Sequence, residues 1–389
     1  MERGVNGQVR YAMIGGGNGA FIGPVHRTAA AIAGNCRLVA GAFSRDRSRS
    51  QATGQELGLA ADRCHAGWQD LVSHECSLPA AERAQFIAIV APNNVHAPAA
   101  IAAMEAGFAV LIEKPLADSS QAARAICEAA TRTGMACGVT HPYVAYPMAL
   151  QASRLIAQGA LGRIRRIAVR YVQGWLANAQ DGAGKQAAWR LDPAQSGVGG
   201  AVGDIGTHAF NLVETMTGER ITHVCADLRT VFADRTLDDD GAALLRLSGG
   251  GSGTLIASQV CAGEANGLTV AIWGEKATLH WNQEDPNRLR VIRSAGPQEI
   301  WNCGQDRSYL DGEVRSWTRT PAGHPEGFLE AFANIYRDFA AAVEGAPPAF
   351  PAFAPIGAGM RAMAFVDAMV ASSRADSAWT PIGAPGPLE

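Results

Sequence analysis

The first 140 residues alternate short apolar runs with longer stretches of helical spacing, and few architectures accept that alternation. Val9–Ile14, Arg37–Phe43, Phe86–Ala91, Ala109–Glu113 and Met135–Thr140 read as strands. Pro24–Ala33, Arg47–Leu57, Val95–Ala106 and Ser119–Thr133 read as the helices between them. Strand and helix in turn predict βαβ units, right-handed crossovers and a parallel sheet. The unbroken apolar runs Phe86-Ile87-Ala88-Ile89-Val90 and Ala109-Val110-Leu111-Ile112 suit strands covered on both faces.

The pattern changes near residue 150. A helix is expected over Pro147–Gln158, then mostly β-type runs: Ile164–Tyr171, His223–Phe232, Ala242–Leu247, Thr254–Val260, Leu268–Trp273, Ala277–His280 and Leu289–Ile292. These predict a largely antiparallel sheet. Helices are expected at Ile205–Thr217, Glu326–Val343 and Ala358–Ser372. With 389 residues the chain is long enough for two domains. They are placed at residues 1–145 and 146–389, with the C-terminal helices free to pack back on the first.

Hydrophobic residues at 48 % and charged residues at 18 % predict a globular chain. A net charge of −3 gives no reason to expect nucleic acid or anionic membrane as a partner. The eight cysteines form no Cys-x-x-Cys pair and read as reduced, and no metal ligand set is singled out. The N-terminus lacks an apolar signal segment, and no apolar run approaches the roughly 20 residues of a membrane helix. The expected location is the cytoplasm.

Gly15-x-Gly17 sits where the first strand hands over to a helix. Glycine there permits a tight turn and lets backbone N–H groups approach a pyrophosphate at a helix N-terminus. The usual third glycine would fall at Ala20, and the alternative is Gly23. The expectation is an enlarged phosphate loop through Asn18, Ala20, Phe21 and Ile22, with Phe21 or Ile22 near the cofactor. An acid that would hold the ribose of NAD is missing from the end of the second strand. Ser44 and Arg45 stand there, and Arg47 is close. A hydroxyl and a guanidinium suit a 2′-phosphate, so of NAD and NADP the latter is favoured. Stacking of Arg45 on adenine, or Asp46 reaching the ribose, is the alternative. After Phe86–Ala91 comes Pro92-Asn93-Asn94-Val95-His96, at the ligand edge of the sheet. Asn93 caps the next helix, or Asn94 or His96 faces the nicotinamide ribose, and Pro92, Asn93 and His96 are counted as cofactor-binding candidates.

Glu113-Lys114-Pro115 closes another strand at the same edge. A partly desolvated Lys114 could hydrogen-bond or help deprotonate a substrate hydroxyl, whereas a plain surface lysine is the other reading. Asp204 and His208 are four residues apart, on one face if helical. A carboxylate beside an imidazole makes a suitable general base, or Asp204 is simply a helix cap.

Those residues together resemble the Gfo/Idh/MocA family, named for glucose–fructose oxidoreductase and inositol dehydrogenase. The resemblance rests on Gly15 and Gly17, on Glu113-Lys114-Pro115, on Asp204 with His208, and on Trp189-Arg190-x-Asp192-Pro193 before Gly197-Val198-Gly199-Gly200. It departs from the family in the lengthened loop from Gly17 to Gly23. It implies a Rossmann domain followed by an α/β domain with a large open sheet, a homodimer or homotetramer, and sugars or cyclitols as substrates. It further implies that His208 accepts the hydroxyl proton, that Asp204 holds substrate or orients the imidazole, and that Lys114 polarises the same oxygen. Glycosidases that retain NAD are a second activity in the family, and a non-catalytic dinucleotide sensor is a third reading. Tyr143, Tyr146, Gln173, Trp175, Trp189, Arg190 and His324 are candidates for a sugar pocket, with Arg190 and His324 preferred.

Overall fold

The computed structural model describes residues 7–178 and 189–383. Of the described residues, 7–142 with 329–360 form one unit, and 143–178, 189–328 and 361–383 form the other.

The first unit begins with five strands: β1 (Val9–Gly15), β2 (Cys36–Ala42), β3 (Phe86–Val90), β4 (Ala109–Glu113) and β5 (Cys137–Thr140). They lie parallel in the order β5-β4-β3-β1-β2. Between them run α1 (Ile22–Ala33), α2 (Arg47–Glu56), α3 (Trp68–Ser77), α4 (Asn93–Glu105) and α5 (Ser120–Thr133). Every residue of β3 and β4 is buried, as their continuous apolar runs require of strands covered on both faces. This is a Rossmann unit, with β1 at the point where the strand order reverses. Helix α3 is one element the periodicity missed. Its inward position 75 is a glutamate, paired with Arg63 at 2.8 Å and fully buried, so the apolar stripe is broken where the helix meets the core.

The second unit opens with α6 (Pro147–Ala157) and β6 (Ile164–Val172). A short helix α7 (Pro193–Ser196) precedes a π-helical turn at Val202–Gly206, which runs into α8 (Thr207–Thr217). Then come β7 (Ile221–Arg229), β8 (Asp240–Leu247), β9 (Ser252–Ser258), β10 (Gly267–Gly274), β11 (Ala277–Asn282), β12 (Arg288–Arg293), β13 (Gln298–Asn302) and α9 (Gly312–Trp317). The chain closes with α10 (Phe328–Val343), β14 (Ala354–Pro355), α11 (Ile356–Arg374) and β15 (Thr380–Pro381). The second sheet has nine strands in the order β13-β12-β11-β10-β6-β9-β8-β7-β15, antiparallel except for the β6–β9 pair. Strands β8 and β9 alternate buried and exposed residues, which gives the sheet one covered and one open face. Helix α8 is buried along almost its whole length. Gly206 allows the close approach, since a Cβ there would already touch Ala257 at 3.4 Å.

Most of α10 belongs to the first unit. Its Tyr336 packs against Tyr11 (ring centroids 5.6 Å apart) and Phe339 against Phe86 (5.3 Å). Strand β14 adds to the same sheet antiparallel to β5.

Candidate functional site

Three glycines shape the nucleotide loop, and each is required by what a side chain would meet. A Cβ on Gly15 would lie 2.2 Å from the Val90 carbonyl oxygen, and one on Gly17 would lie 2.5 Å from that of Phe43. A Cβ on Gly23, in the first turn of α1, would lie 2.2 Å from the Gly16 carbonyl oxygen. Gly15, Gly16 and Gly19 also have positive φ, at 84°, 67° and 79°. Gly23 therefore supplies the close helix-to-loop packing for which the shorter spacing would use position 20. Arg27 of α1 fixes the arrangement by donating from Nη1 to the Gly16 carbonyl at 2.6 Å. The cradle fits a pyrophosphate at the N-terminus of α1.

Around it, Ala20 donates its N–H to Gly17 (2.9 Å), Phe21 is 63 % exposed, and Ile22 is the first residue of α1. Asn18 is tied to α2, its Nδ2 donating to both Glu56 carboxylate oxygens at 3.1 Å. At the end of β2, Asp46 is committed to capping α2. It accepts from the Arg49 N–H (3.1 Å) and the Ser48 hydroxyl (2.6 Å), and these bonds, Ser48 first, lower its carboxyl below the usual range. Ser44 accepts from the Asp46 N–H at 3.2 Å, and Arg45 is exposed.

Two expectations after β3 are corrected. Asn93 does not cap α4. Pro92 holds the cap position without a side-chain bond, and Asn93 is already the first helical residue, buried. His96 has no exposed surface. Its Nδ1 faces the Pro115 carbonyl and its Nε2 the Ala91 carbonyl, each at 2.9 Å, so the ring braces two loops rather than facing a ribose. Burial pushes its pKa down.

Lys114 is half-buried at the end of β4, joined to Pro115 by a cis peptide bond. Beside it sit Glu113, its neighbour in the motif, and His141, which sequence reasoning did not use. His141, just after β5, is pushed down to about 3 by burial and then by the Lys114 charge, so it stays neutral. Glu113 is buried, and its carboxylate accepts from the Thr140 hydroxyl.

In the second unit, Asp204 lies within the π-helical turn and His208 in the first turn of α8. The spacing of four is therefore not carried on a regular α-helix, and the side chain of Asp204 caps neither segment. The Asp204 carboxylate accepts from Gln259 Nε2 at 2.9 Å and pairs with Arg190 Nε at 3.4 Å. Arg190 is stacked over Trp189, 4.4 Å from the ring centre. The His208 imidazole is buried against the edge of Tyr143, 4.8 Å between centroids.

Tyr143 is buried too, and its hydroxyl meets that of Tyr171 at 2.5 Å, which makes it a support for His208 more than a wall of the pocket. Asn266 joins the group, accepting from Tyr171 (2.6 Å) and Gln173 (2.9 Å) and donating to Gln283 (2.7 Å), which in turn donates to Tyr146 (3.1 Å). Trp175 donates to Gln173 at 3.0 Å. Burial, and then Tyr143, raises the Tyr171 phenol well above its ordinary pKa, so it remains a hydroxyl donor. His324, the other preferred pocket residue, has its ring exposed, and its carbonyl accepts from the Thr320 hydroxyl at 2.8 Å.

Asp238 is the residue no motif revealed. Its carboxylate accepts from Gly200 N–H (2.7 Å) and Val202 N–H (2.8 Å), and its own carbonyl accepts from Ala201 N–H (2.7 Å). It thereby clamps the start of the π-helical turn that carries Asp204.

Among the described residues no group of three or more His, Cys, Asp or Glu is arranged to hold a metal ion, and no helix is long and apolar enough to cross a membrane. A Rossmann unit with a glycine cradle, followed by an α/β unit that carries Asp204 and His208, defines a dinucleotide-binding oxidoreductase.

The chain belongs to the Gfo/Idh/MocA family: residues 9–141 match the oxidoreductase family with NAD-binding Rossmann fold, and residues 149–280 match the GFO/IDH/MocA C-terminal domain. It is similar to the oxidoreductase YfiI of Bacillus subtilis (strain 168), 33 % identical over 348 residues that cover 88 % of this chain and 87 % of that one. The levoglucosan dehydrogenase of Pseudarthrobacter phenanthrenivorans is 28 % identical over 306 residues, 73 % of this chain and 76 % of that protein. Among solved structures, an inositol dehydrogenase homolog from Azotobacter vinelandii complexed with NAD+ superposes with a TM-score of 0.92 at 32 % identity, covering 96 % of this chain and 97 % of the other. The same homolog complexed with NADH and myo-inositol gives a TM-score of 0.89 at 31 % identity, again covering 96 % and 97 %.

Proposed function

We propose that this protein is an NAD(P)-dependent dehydrogenase of a secondary hydroxyl on a sugar, sugar derivative or cyclitol. The observation that carries the reading is His208, buried and braced at the start of α8, with Asp204 held one turn before it by Gln259 and Arg190. The relatives named for levoglucosan and inositol support the substrate class. A nicotinamide cofactor, when bound in the glycine cradle, would supply the hydride acceptor. His208 takes the hydroxyl proton, Asp204 and Arg190 hold neighbouring hydroxyls, and Lys114 polarises the reacting oxygen. Gly15, Gly17, Asn18, Ala20, Phe21, Ile22, Ser44, Arg45, Pro92, Asn93 and Glu113 are the residues of the first unit proposed to serve the cofactor.

Asp46 is spent on capping α2, which leaves Ser44 and the exposed Arg45 at the end of β2 and favours NADP. Fluorescence titration should show NADPH binding about tenfold or more tighter than NADH, with the gap closing in Arg45→Ala. Tighter NADH binding would overturn the preference. Reduction of NADP by myo-inositol, levoglucosan or free sugars, followed by absorbance, tests the activity itself. Silence across that panel, with cofactor bound, would count against the substrate class.

The open face of the large sheet carries Leu244, Ile256 and Ile300, exposed by 49 %, 41 % and 55 %. We propose that copies of this chain pair through it as a homodimer or homotetramer. Sedimentation velocity should report an oligomer for the native chain and smaller species for Ile256→Glu. A native monomer would remove the proposal.

A further inference from the structure

Helix α1 does more than present its N-terminus to a phosphate. His26, one turn beyond Gly23, is 1 % exposed, and its ring packs against Phe332 (5.0 Å) and the edge-on Tyr336 (5.7 Å) of α10. Its Nδ1 is 2.9 Å from the Tyr336 hydroxyl, and its Nε2 is 3.5 Å from Glu113 Oε1. If the Tyr336 O–H donates to Nδ1, the proton of the imidazole sits on Nε2, aimed at the carboxylate. Glu113 directly precedes Lys114, and the next residue of α1, Arg27, holds the phosphate loop through Gly16.

We propose that His26 is a positioning residue which ties the phosphate-loop helix to the carboxylate behind Lys114, keeping Glu113 fixed and ionised so that Lys114 works beside a negative charge. This rests on the role given to Lys114 above. The groups facing Glu113 are His26 from α1, Lys114 beside it, Thr140 and His141 from the end of β5, His96 from α4 and Tyr336 from α10. Burial alone pushes the Glu113 carboxyl up. The His26 imidazole facing it, the charge of Lys114 and the Thr140 hydroxyl outweigh it and hold the carboxyl below its usual value. His26 is the largest of these partners. Without it the balance tips back toward the neutral acid, and Glu113 protonates at higher pH.

The test compares His26→Leu, His26→Gln and Tyr336→Phe in the full chain. In infrared difference spectra, the protonated-carboxyl band that Glu113→Gln removes should appear about one pH unit or more higher in His26→Leu than in the native protein. The acid limb of the kcat profile should move up with it. His26→Gln, whose amide can still accept from Tyr336 and donate to Glu113, should restore most of both. Tyr336→Phe should shift both in the same direction by less, and it serves as the milder variant if His26→Leu does not fold. NADPH affinity should stay within about twofold in His26→Gln, which keeps Glu113 in place. An unchanged carboxyl band and pH profile in His26→Leu and Tyr336→Phe would overturn the proposal, as would equal loss in the Leu and Gln variants together with lost cofactor binding. Lys114→Met separates the two readings. If it keeps native turnover, the role of Lys114 fails, and the carboxyl band still reports on the His26 tether alone.

Discussion

His208→Gln should lower kcat by about 10²- to 10⁴-fold, the range over which a positioned general base contributes. Glutamine roughly preserves the volume against Tyr143 but cannot accept a proton near neutral pH. The imidazole is 6 % exposed and lies 4.8 Å from the Tyr143 ring, so its place depends on packing that the variant largely keeps. Cofactor binding should be unchanged, because the glycine cradle, Arg27 and the end of β2 all lie within the other unit. Stopped-flow single turnover reads the chemical step, and nucleotide fluorescence titration reads binding. Retention of more than about a tenth of native turnover would remove His208 from the role of base.

Asp238 should make this protein lose stability as pH rises through the mildly acidic range, opposite to what a salt-bridged carboxylate does. Burial raises its carboxyl to about 6, against the pull of the Val202 and Gly200 N–H bonds. An unfolded aspartate titrates near 3.9. Between those values the folded chain holds a proton that the unfolded chain has released. The contribution is therefore fully present below about pH 4 and is lost as pH rises through about 6, amounting to roughly 3 kcal/mol. Asp238→Asn has no such proton. Urea unfolding of both chains at several pH values should show native stability, relative to the variant, falling by roughly 2 kcal/mol from pH 4 to pH 7. A pH-independent difference would mean that Asp238 titrates normally.

At neutral pH the anion gives two short charge-assisted bonds at 2.7 and 2.8 Å, which fix the start of the π-helical turn. Replacement by alanine takes this partner from the Gly200 and Val202 N–H groups, so turnover should fall through a displaced Asp204.

The five parallel strands and their helices were legible because burial on both faces demands continuous apolar runs, and Phe86–Val90 and Ala109–Glu113 are such runs. Helix α3 was hidden by Glu75, whose partner Arg63 lies 12 residues before it, a pairing no local pattern encodes. The nucleotide loop was legible in kind, since only glycine tolerates contacts as close as 2.2 Å, and Gly23 was visible as the alternative to Ala20.

The chain by itself determined the two-part architecture, the glycine-rich turn after β1 and the Lys114 turn, because the patterns that mark them are local in sequence. Tertiary structure decided the rest. It turned His96 from a ribose contact into a brace between Ala91 and Pro115, and it left His324 exposed. It also brought Asp238 to Gly200 and Val202 across more than 35 residues, and Tyr336 to His26 across 310. Such partners are chosen by which surfaces the folded chain buries together, and a buried polar group must find its bond wherever the fold places one.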